Sequence, residues 1–229
     1  MKKIKFLKAR FPDSLDEVSR KITNHPFEIG VSNGFEPITL SENCARAKFI
    51  EEVTTKEKIT DPFGNVEVVI SKRYVISDFS ILKGSDHQIV ALQNPPRPVK
   101  PLIKKLSEVF GSTFYASAIE VNILELSTFL PHAIKTNSLR NTKVLLSGVN
   151  LDENSSAIVE ITSLKDALLA AQDHFDGKDF KIERARFSSS SSGNDSVVEI
   201  RSTGLASAYG QDEDELLQAV QKFVMRFLG

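Results

Sequence analysis

Runs in which apolar and polar residues alternate with period two dominate the chain, and they give way to helical spacing in a few defined windows. Ile4 and Phe6, with Lys8, fall on one side of a first strand over residues 3–10. Ser14 and Glu17 form a capping-box pair, and Leu15, Val18 and Ile22 recur at helical spacing, so a helix is expected over residues 14–23. Asn24-His25-Pro26 ends it. Residues 27–40 alternate in short pieces around Asn33-Gly34, a pair suited to the positive φ angles of a tight hairpin turn. Two longer extended runs, 44–59 and 66–82, flank Asp61-Pro62-Phe63-Gly64-Asn65 and predict a long hairpin. In its second arm Val66, Val68, Ile70, Tyr74 and Ile76 share one parity, while Phe79 and Ile81 have the other. Side chains alternate with period two, so this switch predicts a bulge near Ser77 and Asp78.

A Lys83-Gly84-Ser85-Asp86 turn leads into residues 87–93, where Ile89, Val90, Ala91 and Leu92 run without alternation, the mark of a strand buried on both faces. Asn94-Pro95-Pro96-Arg97-Pro98 then stops pairing, because proline cannot donate to a ladder. Val99, Leu102, Ile103, Leu106 and Phe110 form the apolar stripe of a helix over 98–110, closed by Gly111. A return strand is expected through Ile119, Val121 and Ile123, then a short helix over 127–135 interrupted at Pro131. The polar stretch 136–142 marks a boundary between an N-terminal unit, 1–138, and a C-terminal unit, 139–229. The second unit reads strand, strand, helix, strand, strand, helix: strands over 143–149 and 157–161, a helix opened by Ser163 and Asp166 with Leu164, Leu168, Ala171 and Phe175 inward, strands over 180–187 and from 197, and a final helix. That last helix carries a wide stripe (Leu216, Leu217, Val220, Phe223, Val224, Phe227, Leu228), acidic residues early and basic residues late, in accord with its dipole. The expected class is α+β, with largely antiparallel sheets, packed amphipathic helices and two sub-domains.

Composition narrows the function classes. Twenty-nine basic and 30 acidic side chains leave a formal charge of -1, so no global field draws the chain to nucleic acid or a membrane. The single cysteine, Cys44, admits no internal disulfide and fits a reducing, cytoplasmic setting. Lys5, Lys8 and Arg10 interrupt the first apolar residues, so no export signal is read, and no window reaches the length of a membrane helix.

Candidate chemistry is sparse. The four histidines lack metal-ligand spacing, the cysteine is unpaired, and no glycine-rich phosphate loop occurs, so no cofactor or metal is expected. The one acid–imidazole grouping is Asp78, Asp86 and His87, a weak candidate for general-base chemistry beside Ser85. Cys44 shares a strand parity with Arg46 and Lys48, cations that would activate a thiol, although a buried inert cysteine is the more ordinary outcome. The serine run ending at Gly193 reads as a hairpin tip. Two basic groupings stand out: Arg97, Lys100, Lys104 and Lys105 around the proline elbow, and Lys181, Arg184, Arg186 and Arg201 on the C-terminal hairpin, with Phe180 and Phe187 nearby as stacking candidates. The resulting expectation is a non-catalytic binding or assembly subunit of an intracellular protein complex, working through sheet edges and the proline elbow. Its partner is an unidentified protein, and self-association is compatible with it. Nucleic-acid binding through the two basic groupings is the alternative, and an enzyme of unknown class the second.

Overall fold

A computed structural model describes residues 1–84, 86–96, 98–134, 139–191 and 194–227. Arg97, Ser85, Leu228, the 135–138 connector and the Ser192-Gly193 tip lie outside the described residues.

The first strand becomes the middle of the molecule. β1 (Lys2–Arg10) pairs antiparallel with β5 (Gln88–Gln93) on one side and with β11 (Leu205–Tyr209) and β6 (Tyr115–Ala118) on the other. Around it a single antiparallel sheet takes in strands from both ends of the chain. On the β5 side follow β4 (Val66–Lys83), β3 (Cys44–Thr60) and edge strand β2 (Asn33–Ser41); beyond β11 come β10 (Asn194–Arg201), β9 (Lys181–Ser191), β7 (Arg140–Asp152) and edge strand β8 (Ser155–Thr162). Helices cover the two ends of this sheet on opposite faces. α1 (Leu15–Thr23) and α2 (Lys100–Phe110) close a core with Phe35, Phe49, Phe79, Ile81, Val90 and Leu92 of the β2–β5 end. α3 (Ile123–Ala133), α4 (Ala167–His174) and α5 (Glu213–Phe227) close a second core, on the other face, with Val144, Leu146, Ala185, Phe187, Val198 and Ile200. Residues of opposite parity on β1 divide between them: Phe6 belongs to the second core and Ala9 to the first. The second core also takes in Leu82 of β4 and Ile89 and Ala91 of β5, so α5 reaches over that end; among the described residues no helix packs on the face opposite the second core at the β11–β8 end, nor on the outer part of the β3–β4 hairpin.

Local chemistry accounts for most elements. The Ser14 side chain caps α1 by accepting from the Glu17 N–H, and Asp166 caps α4 through the Leu169 N–H. Gly64, at φ +86°, closes the β3–β4 turn, in which the Asp61 carboxylate accepts from the backbone N–H groups of Phe63 and Asn65. No helix among the described residues is long and apolar enough to cross a membrane.

Four expectations are corrected. Asn33-Gly34 is not a turn but the start of β2; a Cβ at Gly34 would stand 2.5 Å from the Pro26 carbonyl oxygen, so this glycine serves close backbone approach. The return strand stops at Ala118, because the Asn122 side chain accepts from the Leu124 and Glu125 N–H groups and starts α3, which runs through Pro131. Ile119, Val121 and Ile123 are buried all the same, the first two from the connecting segment and the third from the helix. Leu164 lies outside α4 and is exposed, since the helix begins only after the Asp166 cap. The bulge near Ser77 and Asp78 is absent: β3 and β4 pair one-to-one from Cys44↔Leu82 to Thr60↔Val66. The parity switch instead marks where burial ends. Odd-numbered Ser77, Phe79 and Ile81 face a core, whereas even-numbered Val66, Val68, Ile70, Tyr74 and Ile76 are exposed.

Candidate binding surfaces

The exposed apolar row lies on a projecting arm. β2 pairs with β3 only as far as Glu51, and β5 pairs with β4 only from Asp78, so the remainder of the β3–β4 hairpin extends as a two-stranded ribbon. At ~3.4 Å per residue, the nine residues from Glu51 to Thr60 carry it roughly 30 Å beyond β2. Val68 stands opposite Lys58 and Ile70 opposite Lys56, so apolar side chains of one strand run beside lysines of the other. At the tip Phe63 is 89% exposed. The root is braced: the Tyr74 ring meets Phe27 edge-on at 5.8 Å, its hydroxyl donates to Glu52, and Lys72 pairs with Glu52 at 2.8 Å. Hydrogen bonding from Lys72 holds the Glu52 carboxyl below the usual carboxylate range, so the bracing charge persists into mild acid.

The second surface is the helix-free face of the β1–β11–β10–β9–β7–β8 end. Alternation puts Ala185, Phe187, Val198 and Ile200 under the helices and turns Arg184, Arg186, Glu199 and Arg201 the other way. Register aligns them into rows: Lys143, Arg186, Glu199, Ser207 and Lys3 lie side by side across five strands, and Glu160 neighbours Leu145, Arg184 and Arg201 in the next row. Lys143 reaches Glu160 at 2.6 Å, and Arg184 reaches Glu160 at 2.8 Å and Glu199 at 3.6 Å. Hydrogen bonding from Lys143, with the charges of Lys143 and Arg184, keeps the Glu160 carboxyl below its ordinary range. Arg186 stacks over the Tyr209 ring and donates to its hydroxyl. Half-buried Lys5 donates from its ammonium to the Thr203 carbonyl; burial first, then the neighbouring Arg201 guanidinium, push that amine below its ordinary value. Among the described residues Arg201 has no ion pair.

A third feature is a polar groove of about 430 Å³ between α5 and the ends of β1 and β5, lined by Arg46, Gln93, Asn94, Gln218, Gln221 and Lys222 among others.

The sequence-predicted residues disperse over these features. Arg184, Arg186 and Arg201 do share one face, with Arg201 directly opposite Arg184. Lys181 is drawn instead to Glu120, 3.0 Å away in the segment before α3. Phe187 is buried under the helices and Phe180 packs against Phe175, so neither offers a ring to the arginine face; Tyr209 does. Lys100, Lys104 and Lys105 lie on α2, over the other core, where Lys104 pairs with Glu108 within the helix. Arg97 is outside the described residues. Asp78 pairs with Gln93 at the open end of the β4–β5 hairpin, whereas Asp86 and His87 sit in its turn, past Lys83↔Gln88. Five strand residues put about 17 Å between these groups, so the acid–imidazole grouping is not assembled. Cys44 is half-buried against the second core. No group of three or more His, Cys, Asp or Glu side chains among the described residues is placed to hold a metal ion.

What sequence reasoning missed is the contribution of β1: Lys3 and Lys5 reach the arginine face from the far end of the chain. Their odd parity, opposite to Ile4 and Phe6, was the available signal, but only the pairing of β1 with β11 gives it meaning. No family model matches the chain, and no curated protein matches it.

Proposed function

We propose that the protein is a non-catalytic binding or assembly subunit that engages a protein partner through the β3–β4 arm. The observation that supports this reading is the run of Val66, Val68, Ile70 and Ile76 on one side of a ribbon, facing solvent where a core strand would bury them. Contiguous apolar surface of this kind marks interaction sites, and a ribbon with two free edges also offers backbone groups for strand addition. Lysines 56, 58 and 72 on the same side add a polar border that keeps the free chain soluble and favours an acidic rim on the partner.

Val68 and Ile70 each keep about half of their side chain in water. Burying that half is worth about 1 kcal/mol apiece, so Val68→Thr with Ile70→Thr is expected to weaken partner binding about 30-fold while leaving the fold intact. The test compares wild-type and doubly substituted protein in extracts of the native source, by size-exclusion chromatography and quantitative co-purification. A stoichiometric complex lost in the variant supports the reading. A wild-type chain that migrates alone, or a variant that keeps every partner, overturns it.

A further inference from the structure

We infer that the helix-free face formed by β1, β11, β10, β9, β7 and β8 is a binding platform for single-stranded nucleic acid. Here Lys3, Lys5, Lys143, Arg184, Arg186 and Arg201 outnumber the carboxylates Glu160, Asp195 and Glu199, although the chain as a whole has a formal charge of -1. Local excess against a neutral background is a concentrated field rather than a consequence of composition. Its cations are not equivalent. Glu160 and Glu199 hold Lys143 and Arg184 in place, whereas Arg201 stands next to Lys5 with no anion between them. Two cations held together without a counter-charge are costly unless an anion arrives, and a phosphate oxygen would accept from both.

Geometry favours a flexible strand over a duplex. The row from Lys143 to Lys3 crosses four strand spacings, about 19 Å, enough for roughly four nucleotides, the low end of single-strand site sizes. Tyr209, exposed beside Arg186, provides a ring on which a base can stack, and Leu145 and Leu205 place apolar side chains within the second row, beside Arg184 and Lys5. A face five strands wide does not fit the duplex major groove, about 12 Å across, which admits a helix or a two-stranded ribbon. An acidic protein would satisfy the charges but would make no use of the ring, so nucleic acid is the better match.

The experiment measures fluorescence anisotropy of labelled dT20 and U20 oligonucleotides with the full chain at 50 and 200 mM NaCl. About five neutralised phosphates predict a loss of affinity of about 100-fold over that salt range. Arg186→Glu with Arg201→Glu is expected to weaken binding more than 10-fold and flatten the salt dependence, and Arg201→Glu alone, at an exposed position, about 5-fold or more. Lys104→Glu on α2 is expected to leave binding unchanged. Circular dichroism and thermal melts establish that each variant is folded. The inference is overturned by absence of oligonucleotide binding at 50 mM NaCl, by arginine variants that bind like wild type, by equal or tighter binding of a 20-base-pair duplex, or by displacement of the oligonucleotide by poly-glutamate at equal charge concentration.

Discussion

Ile76 and Ile81 lie on the same strand five residues apart, and the pairing of β3 with β4 assigns them opposite fates. Ile81 is 0% exposed in the core with Phe79, Val90 and Leu102, whereas Ile76 is 54% exposed on the other side. Truncation to alanine removes three carbons. At Ile81 their transfer is worth about 2.4 kcal/mol, and the cavity left behind brings the cost of Ile81→Ala to about 3–4 kcal/mol. At Ile76 roughly half of that apolar surface is already wet and no closed cavity results, so Ile76→Ala costs about 1 kcal/mol. With a urea m value of about 3 kcal/mol/M, suitable for a chain of this size, the unfolding midpoint shifts by about 1 M for Ile81→Ala and about 0.3 M for Ile76→Ala. Equilibrium urea denaturation, followed by circular dichroism, measures both. If Ile76→Ala cost as much as Ile81→Ala, the two side chains would share an interior, β4 would have to be bulged near Ser77, and the exposed row on which the arm's binding role rests would vanish.

Two further outcomes test the sheet's connections. Gly204 turns β10 into β11 at φ +82°, and a Cβ there would collide with Ile119 and come within 3.1 Å of the Phe6 carbonyl oxygen; Gly204→Ala is expected to cost about 2–4 kcal/mol by thermal or urea unfolding, against about 1 kcal/mol for Gly177→Ala, where φ is +71° but no atom lies near the added methyl. Hydrogen bonds from Ser147 above all, and also from Ser202, hold the Glu183 carboxyl below its ordinary range. The folded form therefore binds that proton less readily than the unfolded chain, so the carboxylate's stabilising contribution is present above the ordinary carboxylate pKa and is lost as pH falls through the folded value. Glu183→Gln is accordingly expected to lower stability at pH 7 and to flatten its decline between about pH 5 and pH 3; an unchanged acid profile would assign the decline to other carboxylates.

Much of the architecture was legible along the chain because it depends on neighbours in sequence. The Ser14–Glu17 pair, the Asp61–Asn65 turn and the apolar stripes of α2 and α5 act within a few residues, and each element stands where its pattern indicates. Arg184 and Arg186 share a face for the same reason: strand side chains alternate.

Tertiary structure decided the rest. Periodicity says which residues share a face but not whether anything covers that face, so the parity switch after Ile76 predicts a bulge, whereas β4 runs regularly from a buried root into an exposed arm. Nor does it say which strands adjoin, so Lys3 and Lys5 acquire their relation to Arg201 only because β1 pairs with β11 across nearly the whole chain. The sequence by itself determined the β3–β4 and β9–β10 hairpins, the helices capped at Ser14 and Asp166, and the α+β class. The order of the strands, and the placing of helices on opposite faces at opposite ends of the sheet, left one apolar row and one cationic face uncovered. That followed from long-range packing, because the free energy of covering a surface belongs to the partners brought to it and is not written in the local pattern.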